Sequence, residues 1–458
     1  MGSRLSAIEK RQVFEVIKRN TGLPLTTLRQ AIAEKSTSED VPPIEYARKA
    51  LEQYGEGNIV HALDAFWRYP GRGVWIEEHP GGVKQKIHAV IPDDELSGTA
   101  VDGVFKLART AAFDAGAKFG EPFEGVNVRN GLLIHDGQRW ELQPHRKDLF
   151  LLAQSPVVYD PTADCPRFKQ FLAEIFDGDP DANEKALLLL QLIGYTLLPL
   201  SRFEKFALLI GKGANGKSVL LEVLMALLGF DSVAGVAPDK LNDKFQRAYL
   251  HGKLANIVTE IEEGAVIADA ALKAITSGEL TTAEHKYRNP FSFKPVSTCW
   301  FATNHMPHTR DFSDALFRRA CLLTFNNKFE GERCDPHLKG RLLTELPGIL
   351  NLALDAIGRV LAGDEFAEPA SMMEARREWR LEADQVLQFV EECCHVGRGE
   401  IQKGILYRDY KDWAVDAGIH RTLAQKTFTN RLLMAGIGER RDQHARFYVG
   451  ISLRTMTQ

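Results

Sequence analysis

The sequence predicts an α/β fold: a P-loop domain with a helical collar, preceded by a small α/β domain and followed by a winged-helix-like domain. The first observation is a glycine-rich loop at 211–218, which follows an apolar strand and precedes a helix. The second is a pair of further apolar segments, 254–258 and 297–303, with the length and composition of buried strands. The third is the C-terminal segment 376–458, where three amphipathic helices and a strand are predicted.

Composition limits the class of protein. With 44% hydrophobic and 26% charged residues, the chain has an ordinary globular composition. It lacks both a stretch of about 18 apolar residues and an apolar signal segment, so we expect a cytoplasmic protein without a membrane partner. The net charge of −4 excludes a broadly basic surface, so any contact with nucleic acid must be local. The scattered cysteines lack the spacing of a zinc site, and we expect them to be reduced thiols.

Changes in local composition divide the chain. β-rich segments broken by Pro-Gly and Asp-Gly turns begin near residue 58, helical periodicity covers 164–200, and a polar stretch at 362–371 has the composition of a linker. The predicted parts are an N-terminal helical segment at 1–57, a small α/β domain at 58–160, the P-loop domain with its collar at 161–345, a helical linker at 346–375 and the winged-helix-like domain at 376–458. In the last part, three arginines near the expected wing are candidate phosphate contacts: Arg440, Arg441 and Arg446.

Residues 211–218 fit the P-loop pattern G-x-x-x-x-G-K-[ST] in full. Glycines let the backbone turn tightly enough for its N–H groups to surround phosphates, which the N-terminus of the following helix also favours. Lys217 is expected to reach the β and γ phosphates of ATP, and Ser218 to bind Mg²⁺. The predicted nucleotide-binding residues are Gly211, Gly213, Asn215, Gly216, Lys217 and Ser218. The flanking strand and helix disfavour the alternative of a glycine turn without a ligand.

An acidic loop follows the apolar segment 254–258. A carboxylate at the end of a strand beside a P-loop can hold Mg²⁺ through water or polarise the water that attacks the γ phosphate. We predict Glu260 as the catalytic base and as a ligand of Mg²⁺ through water, with Glu262 as the alternative. A solvated loop with no catalytic role is the other interpretation of both residues.

Two more polar residues follow or precede apolar strands. Asn304 comes directly after the segment 297–303, where an amide can orient the attacking water against the γ phosphate. Arg318 precedes another apolar strand and is a candidate arginine finger, a guanidinium that stabilises phosphoryl-transfer charge from a neighbouring subunit. A strand-end amide and a surface arginine without catalytic roles are the alternatives.

Residues 284–290 form a short polar turn between the two strand segments. Lys286 and Arg288 can bind backbone phosphates, and Tyr287 between them can support a base or the loop itself. The sequence therefore predicts a hairpin that binds DNA, with a solvated turn as the alternative.

Six motifs, in this order, resemble the superfamily 3 helicases, specifically the phage, plasmid and poxvirus primase-helicases. They lie at 215–218, 259–264, 273–278, 287–295, 302–307 and 317–319, and the likeness extends outward through 127–131 and 159–161. The resemblance covers most of residues 58–458. It implies an AAA+ fold and a hexameric ring with ATP at the subunit interfaces. It also implies 3′ to 5′ travel on single-stranded DNA, with the 284–290 hairpin lining the channel.

The same resemblance implies a role in replicating a phage, plasmid or other mobile element, in the cytoplasm of a bacterial host. The expected partners are single-stranded DNA, replication forks, other copies of the chain and a separate primase or polymerase. The short helices at the start of the chain leave no room for a primase polymerase domain, so we expect either a stand-alone helicase or the helicase part of a longer protein, and we predict no priming activity. Two residues depart from the family pattern. Thr259 stands where relatives often have an acidic residue, and Glu284 stands where they usually have a basic residue.

Two other functions are compatible with the same motifs. A DNA-binding P-loop NTPase acting as a loader, clamp or switch would use the same site without separating strands. A small-molecule kinase would be a monomer whose arginines act within one chain and whose activity ignores DNA. ATP hydrolysis with and without single-stranded DNA, measured beside the mass in solution, discriminates among them.

Overall fold

The computed structural model describes residues 41–309, 314–419 and 422–454, and within the first forty residues only three single positions. The predicted N-terminal helical segment at 1–57 therefore lies largely outside the described residues. Its described part contains one helix, Pro43–Glu52. Within the described ranges, no helix has the length and hydropathy needed to cross a bilayer.

The helices are α1 Pro43–Glu52, α2 Pro80–Val90, α3 Gly98–Ala111, α4 Pro166–Ile175, α5 Ala182–Leu197, α6 Lys217–Leu228, α7 Lys244–Arg247, α8 Asp269–Thr276, α9 Asp314–Phe317, α10 Leu338–Thr344, α11 Leu346–Leu361, α12 Ala370–Ala383, α13 Gln385–Cys393, α14 Lys403–Asp416 and α15 Gln425–Met434. The strands are β1 Ile59–Ala62, β2 Ala65–Arg68, β3 Ile76–Glu78, β4 Val126–Val128, β5 Gly131–His135, β6 Trp140–Gln143, β7 Phe206–Ile210, β8 Val233–Ala234, β9 Ala255–Val258, β10 Thr281–Ala283, β11 Phe291–Phe293, β12 Thr298–Thr303, β13 Ala320–Thr324, β14 Cys394–Gln402, β15 Gly438–Arg441 and β16 Arg446–Leu453.

The first of two compact units contains residues up to 68 together with 77–115. Helices α1, α2 and α3 pack with the antiparallel pair β1–β2 around a small core that includes Tyr46, Phe66 and Ile87. The division falls inside the predicted small domain at 58–160, because residues 116–160 belong to the second unit.

The second unit is built on a parallel sheet, which confirms the predicted α/β class. Among the described residues this sheet has five strands in the order β13-β7-β12-β9-β8, and every neighbouring pair is parallel. Parallel sheets are covered on both faces, which explains why β12 is buried along its whole length and why its sequence is a nearly continuous apolar run. The largest of its buried side chains, Trp300, donates its indole N–H to Thr196 Oγ1 at 2.9 Å.

The predicted helical linker at 346–375 contains helix α11 and the beginning of α12. Helix α11 buries Ile349, Leu350 and Ile357 in the main core and packs along α5. A side chain at Gly194 of α5 would place its Cβ 2.3 Å from the carbonyl oxygen of Ala353, so glycine permits this close approach. Only the stretch after α11 has the polar composition on which the linker prediction rested.

Helix α12 connects the sheet domain to the C-terminal domain and is fixed to the sheet domain. The indole N–H of buried Trp379 donates to the Pro307 carbonyl oxygen at 2.8 Å, and its ring contacts Phe317 edge-on at 5.1 Å. Arg376 Nε donates to the Ala320 carbonyl oxygen at 2.7 Å.

Residues 384–454 form the C-terminal domain, with helices α13, α14 and α15 against an antiparallel sheet of order β14-β16-β15. Its separate core contains Phe389, Tyr410 and Phe428. Buried Asp384 caps α13 and accepts a hydrogen bond from Arg431 at 2.8 Å. The sequence predicted the three helices and the last strand but not β14, whose residues are mostly exposed and show no alternation of apolar side chains.

Candidate nucleotide-binding site

The P-loop lies between β7 and α6, as the glycine spacing predicts. Its backbone has positive φ at Gly213 (80°), Ala214 (46°) and Gly216 (90°). A Cβ at Gly216 would lie 2.8 Å from Ile175 Cγ2, so this position needs glycine for space as well as for conformation. The loop therefore presents its N–H groups at the N-terminus of a helix of twelve residues, an arrangement that favours phosphate.

Lys217 is held inside the loop. Its ammonium group donates to the Gly211 carbonyl oxygen and to Asn215 Oδ1, the latter at 3.2 Å. Asn215 is 4% exposed, and its amide donates in turn to the Phe325 carbonyl oxygen at 3.4 Å. Burial lowers the pKa of Lys217, and the negative charge of Glu260 opposes that shift. The ammonium is thus positioned at the loop and would gain a stronger acceptor from a phosphate oxygen.

The carboxyl ends of three neighbouring strands bring the other predicted groups to this edge. The Gly211 N–H donates to the Thr303 carbonyl oxygen at 3.2 Å, and the Ile261 N–H to the Ala302 carbonyl oxygen at 3.0 Å. The residues after β7, β12 and β9 therefore lie side by side, at the strand spacing of about 4.8 Å. Asn304 follows the middle strand, between the P-loop and exposed Glu260.

The two candidate bases have different electrostatic neighbours. Burial lowers the pKa of Lys217, and Glu260 opposes that shift. The pKa of Lys240, which lies outside the P-loop, is raised first by its hydrogen bond and ion pair with Asp239 and to a smaller extent by Glu262. Both carboxylates are exposed. Glu260, unlike Glu262, therefore lies close enough to the P-loop lysine to act on its charge.

The predicted metal ligands are Ser218 and, through water, Glu260. The Ser218 hydroxyl is exposed at the start of α6, and the carboxylate of Glu260 is exposed on the same edge of the sheet. No cluster of three or more His, Cys, Asp or Glu side chains occurs among the described residues. The donor set fits a Mg²⁺ ion that takes most of its ligands from phosphate and water.

Arg318 and Arg319 directly precede β13, at the edge of the sheet where the parallel strands begin, and their side chains have different surroundings. Arg319 is 8% exposed, pairs with Glu204 at 2.7 Å and donates to the Ala315 carbonyl oxygen at 2.8 Å. The side chain of Arg318 is 68% exposed and lies 3.9 Å from Glu204. Because β13 and β7 are parallel, Arg318 lies one strand length from its own P-loop, roughly 15 Å. It does not reach the nucleotide edge of its own chain.

The predicted hairpin is formed by β10 and β11, which pair antiparallel and are joined by residues 284–290. Tyr287 is fully exposed with a φ of 65°, and Lys286 and Arg288 on either side are exposed. Glu284, the departure from the family pattern, pairs with Lys244 of α7 at 2.5 Å. This acid therefore fixes the base of the hairpin, and the two cations remain at its tip.

The three arginines predicted to contact phosphate in the C-terminal domain also differ in their surroundings. Arg440 pairs with Glu400 at 2.9 Å and stacks over Phe447, whereas Arg441 and Arg446 are exposed at the β15–β16 turn.

All six cysteines are free thiols: Cys165, Cys299, Cys321, Cys334, Cys393 and Cys394.

Sequence reasoning missed one buried group beside the site. Lys185 of α5 is 1% exposed and donates to Asp179 Oδ2 at 2.6 Å and to the carbonyl oxygen of Thr324 at 2.9 Å. Since Phe325 accepts from Asn215, this lysine fixes the segment against which the P-loop rests. An isolated lysine in an amphipathic helix carries no sequence signal of such a role.

Three segments of the chain match known families. Residues 49–177 match the family described as D5 N terminal like, and residues 381–435 the family described as Poxvirus D5 protein-like. Residues 209–319, which include the P-loop and Asn304, match a family of unknown function, DUF5906. The chain is thus similar to D5-like families on both sides of its P-loop.

Similar proteins and structures agree with these matches. A "putative helicase" of Acanthamoeba polyphaga mimivirus is 30% identical over 140 residues, which are 28% of this chain and 14% of that protein. The match therefore spans a small part of that relative's length. Two apo structures of the NrS-1 C-terminal region cover 90% of this chain and 100% of their own at 14% identity, with TM-scores of 0.53 and 0.51. At that identity the likeness concerns the fold alone.

Proposed function

We propose that this chain, which resembles the phage and poxvirus-type primase-helicases, is an ATP-dependent DNA helicase. It would unwind DNA during the replication of a phage, plasmid or other mobile element. The proposed assembly is a hexameric ring of AAA+ domains with a helical collar and a winged-helix domain, moving 3′ to 5′ on single-stranded DNA. One observation carries the proposal. The P-loop, Glu260 and Asn304 meet at one edge of the sheet, while Arg318 is exposed at the other edge, out of reach of that site.

Hydrolysis follows from the groups at the nucleotide edge. The loop backbone and Lys217 bind the phosphates, Asn304 orients a water molecule in line with the γ phosphate, and Glu260 accepts its proton. The water oxygen forms a bond to the γ phosphorus as the bond to the ADP oxygen breaks, yielding ADP and phosphate. Mg²⁺, held by the Ser218 hydroxyl and by Glu260 through water, would neutralise phosphate charge.

Arg318 supplies the missing cation from a neighbouring subunit. A guanidinium placed near the γ phosphate in trans stabilises the charge of the transition state and makes hydrolysis depend on assembly. Arg319 cannot serve this purpose, because its guanidinium is buried and already paired with Glu204. Its pairing fixes the backbone from which Arg318 projects.

The hairpin couples hydrolysis to DNA. Lys286 and Arg288 flank the fully exposed Tyr287 at its tip, a combination that suits phosphates and a stacked base. In a ring, six such tips would line the channel. The proposed partners are single-stranded DNA, replication forks, other copies of the chain and a separate primase or polymerase.

Mixing two inactive variants tests the ring mechanism. Arg318→Ala and Lys217→Ala are each expected to lose ATP hydrolysis, and a mixture of the two should recover part of it. A mixed ring contains interfaces where an intact P-loop faces an intact Arg318. The measurement is the rate of phosphate release as a function of the mixing ratio.

A mixture of Lys217→Ala with Glu260→Gln is the matched control. Both changes damage the same half of the site, so no interface in a mixed ring is complete and no activity should return. If the first mixture assembles and remains as inactive as the control, Arg318 does not act across subunits and the ring mechanism is wrong.

Strand separation distinguishes the helicase from a loader, clamp or switch. We expect the wild-type chain to displace a labelled strand from a forked duplex with a 3′ single-stranded tail, in an ATP-dependent reaction. DNA-stimulated hydrolysis without displacement would favour the loader, clamp or switch, and a monomer indifferent to DNA would favour the small-molecule kinase.

A further inference from the structure

An open cavity of about 910 Å³ lies in the second unit, away from the P-loop. It is formed by the segment 69–76, the turn between β4 and β5, and the chain that follows α6. The side chains that matter for its chemistry are Arg72, Arg129, His145, Gln154, Phe230 and Asp231. None of them has a part in the nucleotide site.

A polar network fixes the wall that carries Arg72. Gln154 Nε2 donates to the Arg72 carbonyl oxygen at 2.6 Å, and buried Asn127 donates to the Gly73 carbonyl oxygen at 2.8 Å. Gly73 has a φ of 84°, and a Cβ there would lie 2.5 Å from His145 Cδ2. The wall is therefore built to one conformation, which lowers the entropic cost of binding a ligand.

The cavity carries positive charge. The side chains of Arg72 and Arg129 are exposed, and neither guanidinium has an ion-pair partner among the described residues. Asp231 is the carboxylate among the lining residues, and Lys253 donates to its backbone carbonyl oxygen. Attraction by Asp231 opposes the lowering of the pKa of Lys253 by burial, so this carboxylate already has a cation beside it. In a chain of net charge −4, two unpaired guanidinium groups in one cavity favour an anionic ligand.

An exposed aromatic ring lines the same cavity as these cations. Phe230 is 73% exposed in the short 3-10 turn that follows α6. A solvated phenyl ring gives a base a surface on which to stack, and arginines take the adjoining phosphates. This pairing of an aromatic ring with guanidinium groups is typical of sites for single-stranded nucleic acid.

The cavity lies at the same edge of the parallel sheet as the hairpin. The Leu254 N–H, just before β9, donates to the Ser232 carbonyl oxygen at 2.8 Å. Three residues earlier, the ring of His251 contacts Phe291 and Phe293 of β11 at 5.2 and 5.3 Å. One short segment thus connects the wall of the cavity to the base of the hairpin.

We propose that this cavity binds single-stranded nucleic acid, with phosphates on Arg72 and Arg129 and a base stacked on Phe230. It is a second contact for the strand, in addition to the hairpin, and it acts on strands that enter or leave the hairpin. The inference rests on the proposed function in its choice of a polynucleotide as the ligand.

The double variant Arg72→Ala/Arg129→Ala tests the phosphate contacts. The probe is a fluorescein-labelled oligothymidylate of about 20 nucleotides, and its anisotropy is titrated without ATP at several salt concentrations. We expect the affinity to fall about tenfold and the slope of log K against log salt to decrease by about 1.4, since each phosphate contact on a single strand contributes about 0.7.

The matched control is Arg139→Ala/Lys169→Ala, which removes two exposed cations that are ion-paired elsewhere on the surface. It should bind the probe like the wild type. Equal affinity and equal salt slope for the cavity variant and this control would overturn the proposal.

Phe230 provides an independent readout. Phe230→Ala should weaken binding of the oligothymidylate about tenfold, whereas Phe230→Trp should retain binding and lose fluorescence when a base stacks on the indole. Loss of affinity in both variants would indicate a structural role for Phe230 and contradict the stacking.

Two further measurements separate this proposal from the alternatives. Hydrolysis of ATP without DNA should be unchanged in the arginine variant, because neither arginine touches the nucleotide edge. Binding of the oligothymidylate is measured without ATP, so its outcome does not depend on unwinding. A chain that does not unwind DNA could still bind the strand in the cavity, and a chain that unwinds DNA could still bind it elsewhere. If free dTMP binds the wild type as tightly as the oligothymidylate does, the cavity is a mononucleotide site and the strand contact is wrong.

Discussion

The two edges of the parallel sheet differ in how their polar groups are satisfied. At the carboxyl edge, Lys217 and Asn215 are held by hydrogen bonds within the P-loop and its neighbouring strand. At the amino edge, Arg319 is buried and paired with Glu204, whereas Arg318, the tip of the hairpin and the arginines of the cavity are exposed. The carboxyl edge is therefore preorganised to bind a phosphate ligand with groups of a single chain. The amino edge carries exposed cations, which suit the proposed contacts with DNA and with another subunit.

The largest effect is expected from the carboxyl edge. Lys217→Ala should lower ATP hydrolysis about 10³-fold, because the phosphate charge loses its positioned cation while the loop backbone still forms. The measurement is steady-state phosphate release, with circular dichroism as the control for folding. Near-normal ATP hydrolysis by a folded Lys217→Ala variant would contradict the proposal that residues 211–218 bind the phosphates of ATP.

The choice of base gives the next effect. Glu260→Gln should lower hydrolysis about 10²-fold and keep nucleotide binding, since an amide cannot accept a proton from water. Glu262→Gln is the matched control and should hydrolyse ATP at close to the wild-type rate, because Glu260 and not Glu262 acts on the charge of Lys217. The reverse order of activities would show that Glu262 is the base.

At the amino edge, the adjacent arginines should separate stability from activity. Arg319→Met should lower the free energy of unfolding by about 2 kcal/mol, because it removes the closer of the two arginines paired with Glu204 and the hydrogen bonds of a buried guanidinium. Arg318→Met should leave stability unchanged and reduce only the hydrolysis. Urea unfolding of both variants makes the comparison, and equal losses of stability would argue against different roles.

The smallest effect concerns the hairpin. Lys286→Ala/Arg288→Ala should keep basal hydrolysis and assembly, weaken binding of single-stranded DNA about tenfold and abolish stimulation by DNA. Glu284→Ala tests the base of the hairpin, where the pair with Lys244 would be lost. Hydrolysis rates with and without oligothymidylate provide the measurement. Normal unwinding by the double variant would place the DNA contact elsewhere.

Much of the fold and of the nucleotide edge could be predicted from local patterns. Glycine spacing located the turn between β7 and α6, and apolar runs located β9 and β12. Asn304 and Glu260 were each predicted to follow a buried strand, and they lie at one edge because neighbouring strands of a parallel sheet end at the same edge.

Long-range contacts explain what could not be predicted. The different surroundings of Arg318 and Arg319 depend on Glu204, which lies more than one hundred residues earlier in the chain. The segment 69–76 leaves the first unit because the Trp75 indole donates to the Lys147 carbonyl oxygen at 2.7 Å within the second. The burial of α11 depends likewise on a glycine of a distant helix. Periodicity within a short window contains none of this information.

The hydrogen bond from Trp379 to Pro307 has a mechanical consequence. Pro307 lies three residues after Asn304, so in the proposed hydrolysis cycle a shift of that loop would pull on α12. Separating this buried pair costs about 1–3 kcal/mol, and a small displacement is therefore passed along the helix rather than absorbed at its end. At the far end, Asp384 caps α13 and holds Arg431 of α15. Helix α12 would therefore transmit such a shift to the C-terminal domain, together with the contacts that Trp379 makes with Phe317 and that Arg376 makes with Ala320.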